Sequence, residues 1–236
     1  ALAREEARVM LMSRTVKELR EVVALIRASG GEGDCSEGDV SDPKDVKRGI
    51  DKAVGKYGGL DILVNNASVI GPARFLEDAD ETAWQKTINT NLYGAYLCCR
   101  AAGLVMRERG SGKIITLSSG LGQRPFPRFC AYSVSKAGEI QMTRSLAEEW
   151  KPMNIRVNAI DPGLVDTGLQ AGVRGLGPAI LGRELHDRFA EYKEKGLLKG
   201  PEKVAPLAVY LASPESDHLS GHFGTLDDYR RLGWPG

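Results

Sequence analysis

The sequence predicts one α/β domain of three layers, in which helices cover both faces of a doubly wound parallel sheet. Three observations indicate this fold class. Short apolar runs recur along the chain, amphipathic helical patterns separate them, and 236 residues suffice for one sizeable core but are few for two. Strands that are apolar throughout are typical of a parallel sheet buried on both faces, and the crossovers of such a sheet are right-handed.

The first elements follow this alternation. Residues 1–6 have the pattern of the end of a helix, and the apolar run 7–13 predicts a strand. Thr15 and Glu18 have the spacing of a capping box, which predicts a helix that stops at Gly30. The buried stripe of this helix is expected to contain Val16, Leu19, Val22, Val23 and Ile26.

The next two elements are a polar strand and a helix with a clear start. Residues 33–38 are polar for a strand, so we expect them at an edge of the sheet. Asp42 followed by Pro43 places a cap residue before a proline at the first helical position, which is a usual helix start. The glycine pair at 58–59 is expected to end this helix.

The rest of the chain continues the pattern, apart from one less regular segment. Strands and helices are predicted in alternation over residues 60–64, 91–109, 113–117, 132–150 and 155–160. Residues 163–200 are rich in glycine, which is typical of a mobile lid over a site. We therefore expect a single domain over residues 1–236, with a substrate lid at 163–200.

Composition argues against several classes of function. The chain has 32 basic and 31 acidic residues and no long run of either sign, so neither nucleic acid nor a charged membrane surface is an expected partner. No apolar stretch approaches the roughly 20 residues that a membrane helix needs. The 4 cysteines show no C-x-x-C spacing, and the 3 histidines have no cysteine partners at zinc spacing. We expect a reduced, cytoplasmic protein without a structural metal.

Polar residues stand directly after three of the predicted strands. They are Asn65-Asn66-Ala67, Ser118-Ser119 and Asp161-Pro162-Gly163. In a parallel sheet of this kind, ligands bind at the carboxyl ends of the strands. Asn91 lies near the start of one long helix, and Tyr132 and Lys136 lie on the next. We expect all of these residues to converge on one rim of the sheet.

Tyr132 and Lys136 form the pair with the most specific chemistry. Their spacing places them on one face of a helix. A free tyrosine has a pKa of about 10, whereas a cation about 4 Å away contributes roughly 4 kcal/mol at an effective dielectric of about 20, or about three pKa units. Tyr132 is therefore expected to act as a general acid and base, with Ser119 holding the substrate oxygen and a nicotinamide cofactor supplying hydride.

Each of these residues has an ordinary structural interpretation when it is taken alone. A Tyr-x-x-x-Lys pair arises often by chance, and Tyr132 by itself would usually be a half-buried tyrosine. Ser119 would by itself be a plausible helix or turn cap. The functional interpretation depends on the whole set standing at strand ends in the right order.

This set of residues resembles the short-chain dehydrogenase/reductase family, and the resemblance extends over residues 1–226. Residues 65–67 match the family's Asn-Asn-Ala-Gly segment beside the cofactor. Ser119, Tyr132 and Lys136 have the family's catalytic spacings, and Asn91 matches its fourth catalytic residue, which anchors a water in the proton relay. The resemblance implies a Rossmann-like fold and the interconversion of a carbonyl with a secondary alcohol.

The resemblance also implies a set of cofactor contacts. Asp39 and Val40 would contact the adenine ring, and the segment 162–167 would hold the nicotinamide amide. Lys136 would bond the nicotinamide ribose in addition to its effect on Tyr132. The full set of implied contacts is Ser13, Arg14, Asp39, Val40, Asn66, Ala67, Tyr132, Lys136, Pro162, Gly163, Val165 and Thr167.

The residues after the first predicted strand indicate the choice of cofactor. Enzymes of this kind that use NAD usually place an acidic residue there for the ribose hydroxyls. This chain has Ser13 and Arg14 instead. An arginine suits the additional 2′-phosphate of NADP, although it is also compatible with a solvated residue before a helix. The expected cofactor is NADP, with NAD as the less favoured choice.

Three departures from the family pattern are evident. Ser68 replaces the glycine of Asn-Asn-Ala-Gly, and Asp227-Asp228 replaces a common glycine pair before an unusual tail over residues 229–236. The family's first strand and glycine-rich phosphate loop would precede residue 1. That strand would lie in the middle of the sheet, and its loss would expose two strand edges. We therefore expect the native protein to contain this segment.

Two functions of different class follow. The first is an active reductase or dehydrogenase, with a 3-oxoacyl thioester as one possible substrate and small ketones, sugars or steroids as others. The second is a catalytically impaired relative that serves as a binding or assembly protein because it lacks the phosphate loop. Residues that precede Tyr132 are candidates for recognising a substrate with an anionic end and an apolar body, or for a subunit contact: Arg124, Phe126, Arg128 and Phe129. The resemblance implies a homotetramer or homodimer packed through the helices that carry Asn91 and Tyr132.

Overall fold

The structure is a computed structural model that describes residues 1–236. The six strands are β1 (Val9–Ser13), β2 (Gly33–Glu37), β3 (Ile62–Asn65), β4 (Gly112–Leu117), β5 (Ile155–Ile160) and β6 (Phe223–Gly224). The first five α-helices are α1 (Val16–Ala28), α2 (Pro43–Tyr57), α3 (Glu81–Ile88), α4 (Gly94–Arg109) and α5 (Cys130–Glu149). The others are α6 (Gly168–Gly175), α7 (Pro178–Leu181), α8 (Arg183–Glu194), α9 (Ala205–Ala212) and α10 (Leu226–Arg231). The predicted α/β class is confirmed.

The strands are all parallel, but they form two sheets. One sheet contains β1 and β2, and the other has the order β3-β4-β5-β6. Strands β1 and β3 each have a single hydrogen-bonded neighbour, so each leaves one edge unpaired. The predicted edge position of β2 is confirmed.

Consecutive residues of β4 show why the domain has three layers. Ile114 and Ile115 are each 1% exposed, and they point to opposite faces of the sheet. Ile114 packs into a core with Met106 of α4 and Ala147 of α5. Ile115 packs into a second core with Leu207 of α9 and residues of the C-terminal segment. Burial on both faces explains the uninterrupted apolar character of this strand.

Helix α2 begins as its sequence predicts, whereas α1 does not. The Asp42 carboxylate accepts a hydrogen bond of 2.8 Å from the Lys44 N–H, and Gly58 ends the helix at φ 81°. The predicted capping box at the start of α1 is wrong, because the Thr15 side chain makes no capping hydrogen bond. The Thr15 N–H instead bonds to Oγ of Ser13 at 3.2 Å. The predicted stripe of α1 also needs correction, since Val22 is 43% exposed.

The segment 163–200, which the sequence predicts to be a lid, is more regular than its glycine content suggests, because it contains α6, α7 and α8. Gly177 and Gly182 have φ values of 72° and 77°, and they separate short helices instead of forming a long loop. The lid buries Val173, Leu181 and Phe189 in a cluster that also contains Tyr132. Apolar contacts therefore hold this segment over the first turn of α5.

The C-terminal tail folds back on the same domain. The Tyr229 side chain is fully buried, and its hydroxyl donates to the Ala159 carbonyl at 2.9 Å, with the His222 carbonyl at 3.1 Å. Asp228, which replaces a glycine of the family pattern, completes a capping box with Thr225 at the start of α10. The contacts of Asp228 and Tyr229 explain how the fold accommodates a C-terminal sequence that differs from the family pattern. None of the helices combines the length and apolar character needed to cross a membrane.

Candidate active site

The carboxyl ends of β3, β4 and β5 bring the predicted rim residues together. Asn65 is in register with Thr116, and Leu117 is in register with Ile160, so the residues after these strands meet at one edge. Helix α5 starts beside this edge and carries Tyr132 and Lys136 in its first two turns. The Lys136 Nζ lies 5.5 Å from the centre of the Tyr132 ring.

Tyr132 lies in an apolar environment that keeps its phenol protonated. The residue is 8% exposed and packs in the cluster that includes Phe129 and Leu181. Burial raises the pKa of Tyr132, and the Lys136 ammonium opposes this rise without overcoming it. The expectation that Lys136 lowers the pKa of Tyr132 towards neutral pH is therefore wrong for this structure. The reason is desolvation of the phenol, to which the negative charge of Glu139 adds.

Lys136 is held by a partner that the sequence analysis missed. Its Nζ donates to the Leu117 carbonyl at 2.9 Å and to the two carboxylate oxygens of Glu139 at 2.9 and 3.0 Å. Both side chains of this ion pair are 2% exposed. Two features of the sequence indicate the pair, namely the three-residue spacing on a helix and the position of Glu139 on the apolar face of α5.

The two serines after β4 contact the two predicted catalytic residues of α5, Tyr132 and Lys136. Ser119 caps a short turn, and its Oγ accepts a hydrogen bond of 3.2 Å from the Leu121 N–H. The Ser119 hydroxyl also acts on Tyr132, because it lowers the pKa of that phenol. Ser118 is buried, and its hydroxyl donates to the Lys136 carbonyl at 3.2 Å. These contacts fix the end of β4 against α5.

Asn91 lies in a turn of π-helix over residues 89–93 that connects α3 to α4. The sequence pattern predicts one helix from Asn91, and α3 is not evident in it. The Asn91 amide is 1% exposed, accepts from the Val69 N–H at 2.8 Å and donates to the Val69 carbonyl at 2.9 Å. It also donates to Oγ of Ser135 at 3.0 Å. Asn91 therefore ties the loop after β3 to α5, and π-turns are frequent at functional sites.

A polar groove opens at the other end of the predicted cofactor track. It has a volume of about 630 Å³ and is lined by the ends of β1 and β2 together with one face of α2. Three cations, Arg14, Arg48 and Lys52, line the groove. Arg14 lies 3.5 Å from the Asp39 carboxylate, and its side chain is 52% exposed. Burial raises the pKa of Asp39. Hydrogen bonds from Ser41 and the charge of Arg14 outweigh this effect and hold the pKa of Asp39 below its usual value.

The predicted nicotinamide segment follows β5 at the same rim. Gly163 adopts φ 67°, and its N–H bonds to the Asp161 carboxylate at 2.9 Å. Val165 forms a parallel bridge with Lys199 at the far end of the lid. The Thr167 hydroxyl accepts from the Gln170 N–H at 3.4 Å and caps α6. This segment therefore connects β5 to α6 at the rim.

The four residues considered for substrate recognition have different surroundings. Phe129 is 1% exposed and belongs to the core beneath the lid. Arg128 donates to the Ile180 carbonyl at 3.1 Å, and its guanidinium lies 4.0 Å from the centre of the Phe75 ring. Phe126 is half-buried and packs edge-on against Phe129, whereas Arg124 is exposed.

Comparison with known proteins supports a specific family. Residues 1–228 match a family model described as "Enoyl-(Acyl carrier protein) reductase". The chain is 34% identical over 227 residues to an uncharacterised oxidoreductase of Thermotoga maritima. The matched region covers 95% of this chain and 88% of the relative. It is 32% identical over 226 residues to a cis-4-hydroxycyclohexanecarboxylate dehydrogenase of Sinomonas cyclohexanicum, covering 96% and 88%.

The solved structures agree with this result. An actinorhodin polyketide ketoreductase crystallised with NADPH superposes with a TM-score of 0.85 at 28% identity, covering 95% of this chain and 88% of that one. The match to the family model, the relatives and the fold extend over nearly all residues of the chain. The chain therefore belongs to the short-chain dehydrogenase/reductase family, whose members are oxidoreductases that act on alcohol and carbonyl groups.

Proposed function

We propose that this protein is an NADP(H)-dependent oxidoreductase that interconverts a carbonyl and a secondary alcohol, with Tyr132 as the general acid and base. The observation that carries this proposal is the buried Tyr132 beside Lys136 and Ser119, at the carboxyl ends of the central strands. In the direction of reduction, the phenol and the Ser119 hydroxyl both donate to the substrate oxygen. The phenol then transfers its proton as negative charge develops on that oxygen.

The raised pKa of Tyr132 favours the reductive direction at neutral pH. A phenol whose pKa lies above its ordinary value is fully protonated at pH 7 and is ready to act as an acid. In oxidation the same group must first lose its proton, which requires more alkaline conditions. A bound nicotinamide supplies the hydride for reduction and accepts it in oxidation.

Several residues of the rim fit a nicotinamide dinucleotide. The Ser68 hydroxyl, directly after Asn66 and Ala67, is buried without a hydrogen-bond partner, so a polar group of a ligand would satisfy it. The positive φ of Gly163 lets the backbone approach a ligand closely. At the other end, the exposed guanidinium of Arg14 has donors available for a phosphate. Residues 162–167, Asp39 and Val40 would complete the contacts.

The choice of NADP depends on Arg14. We expect Arg14→Ala to weaken NADPH binding by about 10- to 100-fold and to leave NADH binding within about twofold, because a charge-assisted bond contributes about 1.5–3 kcal/mol. Fluorescence titration of the full chain with each cofactor measures this difference. Arg20→Ala, an exposed arginine on α1, serves as the matched control. Equal losses for NADPH and NADH would contradict the assigned role of Arg14.

A 3-oxoacyl thioester is the substrate class that we propose to test first. The match to an acyl-carrier-protein reductase model and the similarity to a polyketide ketoreductase support it. The exposed Arg124, which flanks Gly120 next to Ser119, suits a substrate with an anionic group. Consumption of NADPH with acetoacetyl-CoA, compared with a neutral ketone, tests the proposal. Absence of turnover with every carbonyl would favour the alternative of a binding or assembly protein.

A homo-oligomer is the assembly that we propose. Large apolar side chains are exposed on α4 and at the start of α5, and they are Tyr96 (45%), Leu104 (49%) and Val134 (47%). Large apolar side chains exposed on a surface are typical of a subunit contact when they form one patch.

We expect the wild-type protein to elute as a dimer or tetramer and the Tyr96→Arg variant to elute as a smaller species, because a charge would be buried in the contact. Light scattering after size exclusion measures the mass. Leu25→Glu, at a 70% exposed position on α1, should leave the mass unchanged. A monomeric wild-type protein would exclude this interface.

A further inference from the structure

We propose that Glu139 is a positioning residue of this site, which holds the Lys136 ammonium beside Tyr132 as its buried counter-ion. This inference rests on the proposed function, because it assigns the source of the pH response of that same site. Glu139 stands outside the set of catalytic residues that the sequence analysis identified. It touches neither substrate nor reacting atoms and acts through Lys136.

Lys136 and Glu139 form a buried ion pair with complete hydrogen bonding of the ammonium. An ammonium has three N–H donors, and those of Lys136 are satisfied by the Leu117 carbonyl and the two oxygens of Glu139. Both side chains are 2% exposed, so little solvent screens the interaction. A buried ammonium without such a partner would be strongly unfavourable. Glu139 therefore fixes the position of the Lys136 ammonium.

The other groups around the site do not supply a second counter-charge to Lys136. Tyr132 is faced by Ser119 after β4 and by Asp161 after β5, and the lid contributes apolar side chains such as Leu181. Helix α4 places Cys99 near Glu139, but burial raises the pKa of Cys99 to about 12, and its thiol stays neutral. Glu139 is the only acidic residue in an ion pair with Lys136.

The negative charge of Glu139 acts on the Tyr132 phenol as well as on Lys136. Burial is the main cause of the raised pKa of Tyr132, and the charge of Glu139 adds to it. A neighbouring negative charge opposes ionisation of a phenol. Neutralising Glu139 must therefore move the ionisation of Tyr132 to lower pH.

The test is the pH dependence of kcat/KM for carbonyl reduction with NADPH. Activity in this direction falls when the Tyr132 phenol loses its proton. We expect the alkaline limb of the Glu139→Gln profile to move to lower pH by about 1–3 units, and the Glu139→Asp profile to stay near that of the wild type. Thr143→Val is the matched control, because Thr143 is equally buried one turn along α5 but carries no charge. A Glu139→Gln profile that superposes on the wild type would overturn the proposal.

A second measurement needs neither a folded Gln variant nor turnover. The ionisation of Tyr132 is followed from phenolate absorbance as the difference between wild-type and Tyr132→Phe proteins, without cofactor. Burial and the charge of Glu139 together predict that Tyr132 ionises at or above the ordinary tyrosine value of about 10. Ionisation below that value would show an uncompensated Lys136 and overturn the proposal. Because this titration uses no substrate, failure of the proposed enzymatic function would be seen separately as absence of turnover.

Discussion

Replacing Tyr132 by phenylalanine is expected to lower kcat/KM for carbonyl reduction by about 10²- to 10⁴-fold, because the substrate oxygen then lacks its proton donor. The phenylalanine ring fills the same space under the lid, so the fold should be retained. Turnover assays with NADPH measure the loss, and circular dichroism with thermal unfolding checks the fold. The size of the effect separates catalysis from packing.

Tyr57→Phe provides the matched control for this experiment. The Tyr57 hydroxyl bonds to the Val9 carbonyl at 3.3 Å, away from the site, so its removal should leave kcat/KM within about twofold. A Tyr132→Phe protein that keeps more than about a tenth of the wild-type kcat/KM would rule out Tyr132 as the proton donor. In that case another group at the rim would have to supply the proton.

Replacing Tyr229 by alanine is expected to lower the free energy of unfolding by about 3–5 kcal/mol, because a fully buried aromatic side chain is removed from the core. Tyr229→Phe should cost less, about 1–2 kcal/mol, since it removes only the hydroxyl that bonds to the Ala159 and His222 carbonyls. Urea denaturation followed by circular dichroism measures both values.

The control is Leu25→Ala, since Leu25 is 70% exposed and should cost within about 0.5 kcal/mol. Equal stabilities of the Tyr229→Ala and wild-type proteins would contradict the packing of the tail. A Phe variant as unstable as the Ala variant would instead assign most of the effect to the hydroxyl.

The central strands could be predicted from the sequence because both of their faces are buried. The apolar run of β5 was predicted at the observed bounds, 155–160, and β4 within one residue. The start of α2 was also predictable, because Asp42 and Pro43 determine a local structure without help from distant residues. The same reasoning found the rim residues, since strand ends in a parallel sheet share an edge.

The remaining features depend on contacts that no local pattern contains. The π-turn before α4 is stabilised by hydrogen bonds from Asn91 to Val69, which lies on a distant segment. The lid helices α6 to α8 form because Leu181 and Phe189 find apolar partners near Tyr132, and their glycine content hid them. Glu139 was missed because a single acidic residue on a helix is usually solvated, whereas this one is buried with Lys136.

The apolar cluster around Val46 has a consequence for how the polar groove is held to the rim. Val46 of α2 meets Leu97 and Cys98 of α4, and Met12 of β1 and Leu63 of β3 pack against the same cluster. Apolar packing has no preferred direction, so its strength depends on how completely these side chains fill their shared space. Truncating Val46 would therefore loosen the groove relative to the rim.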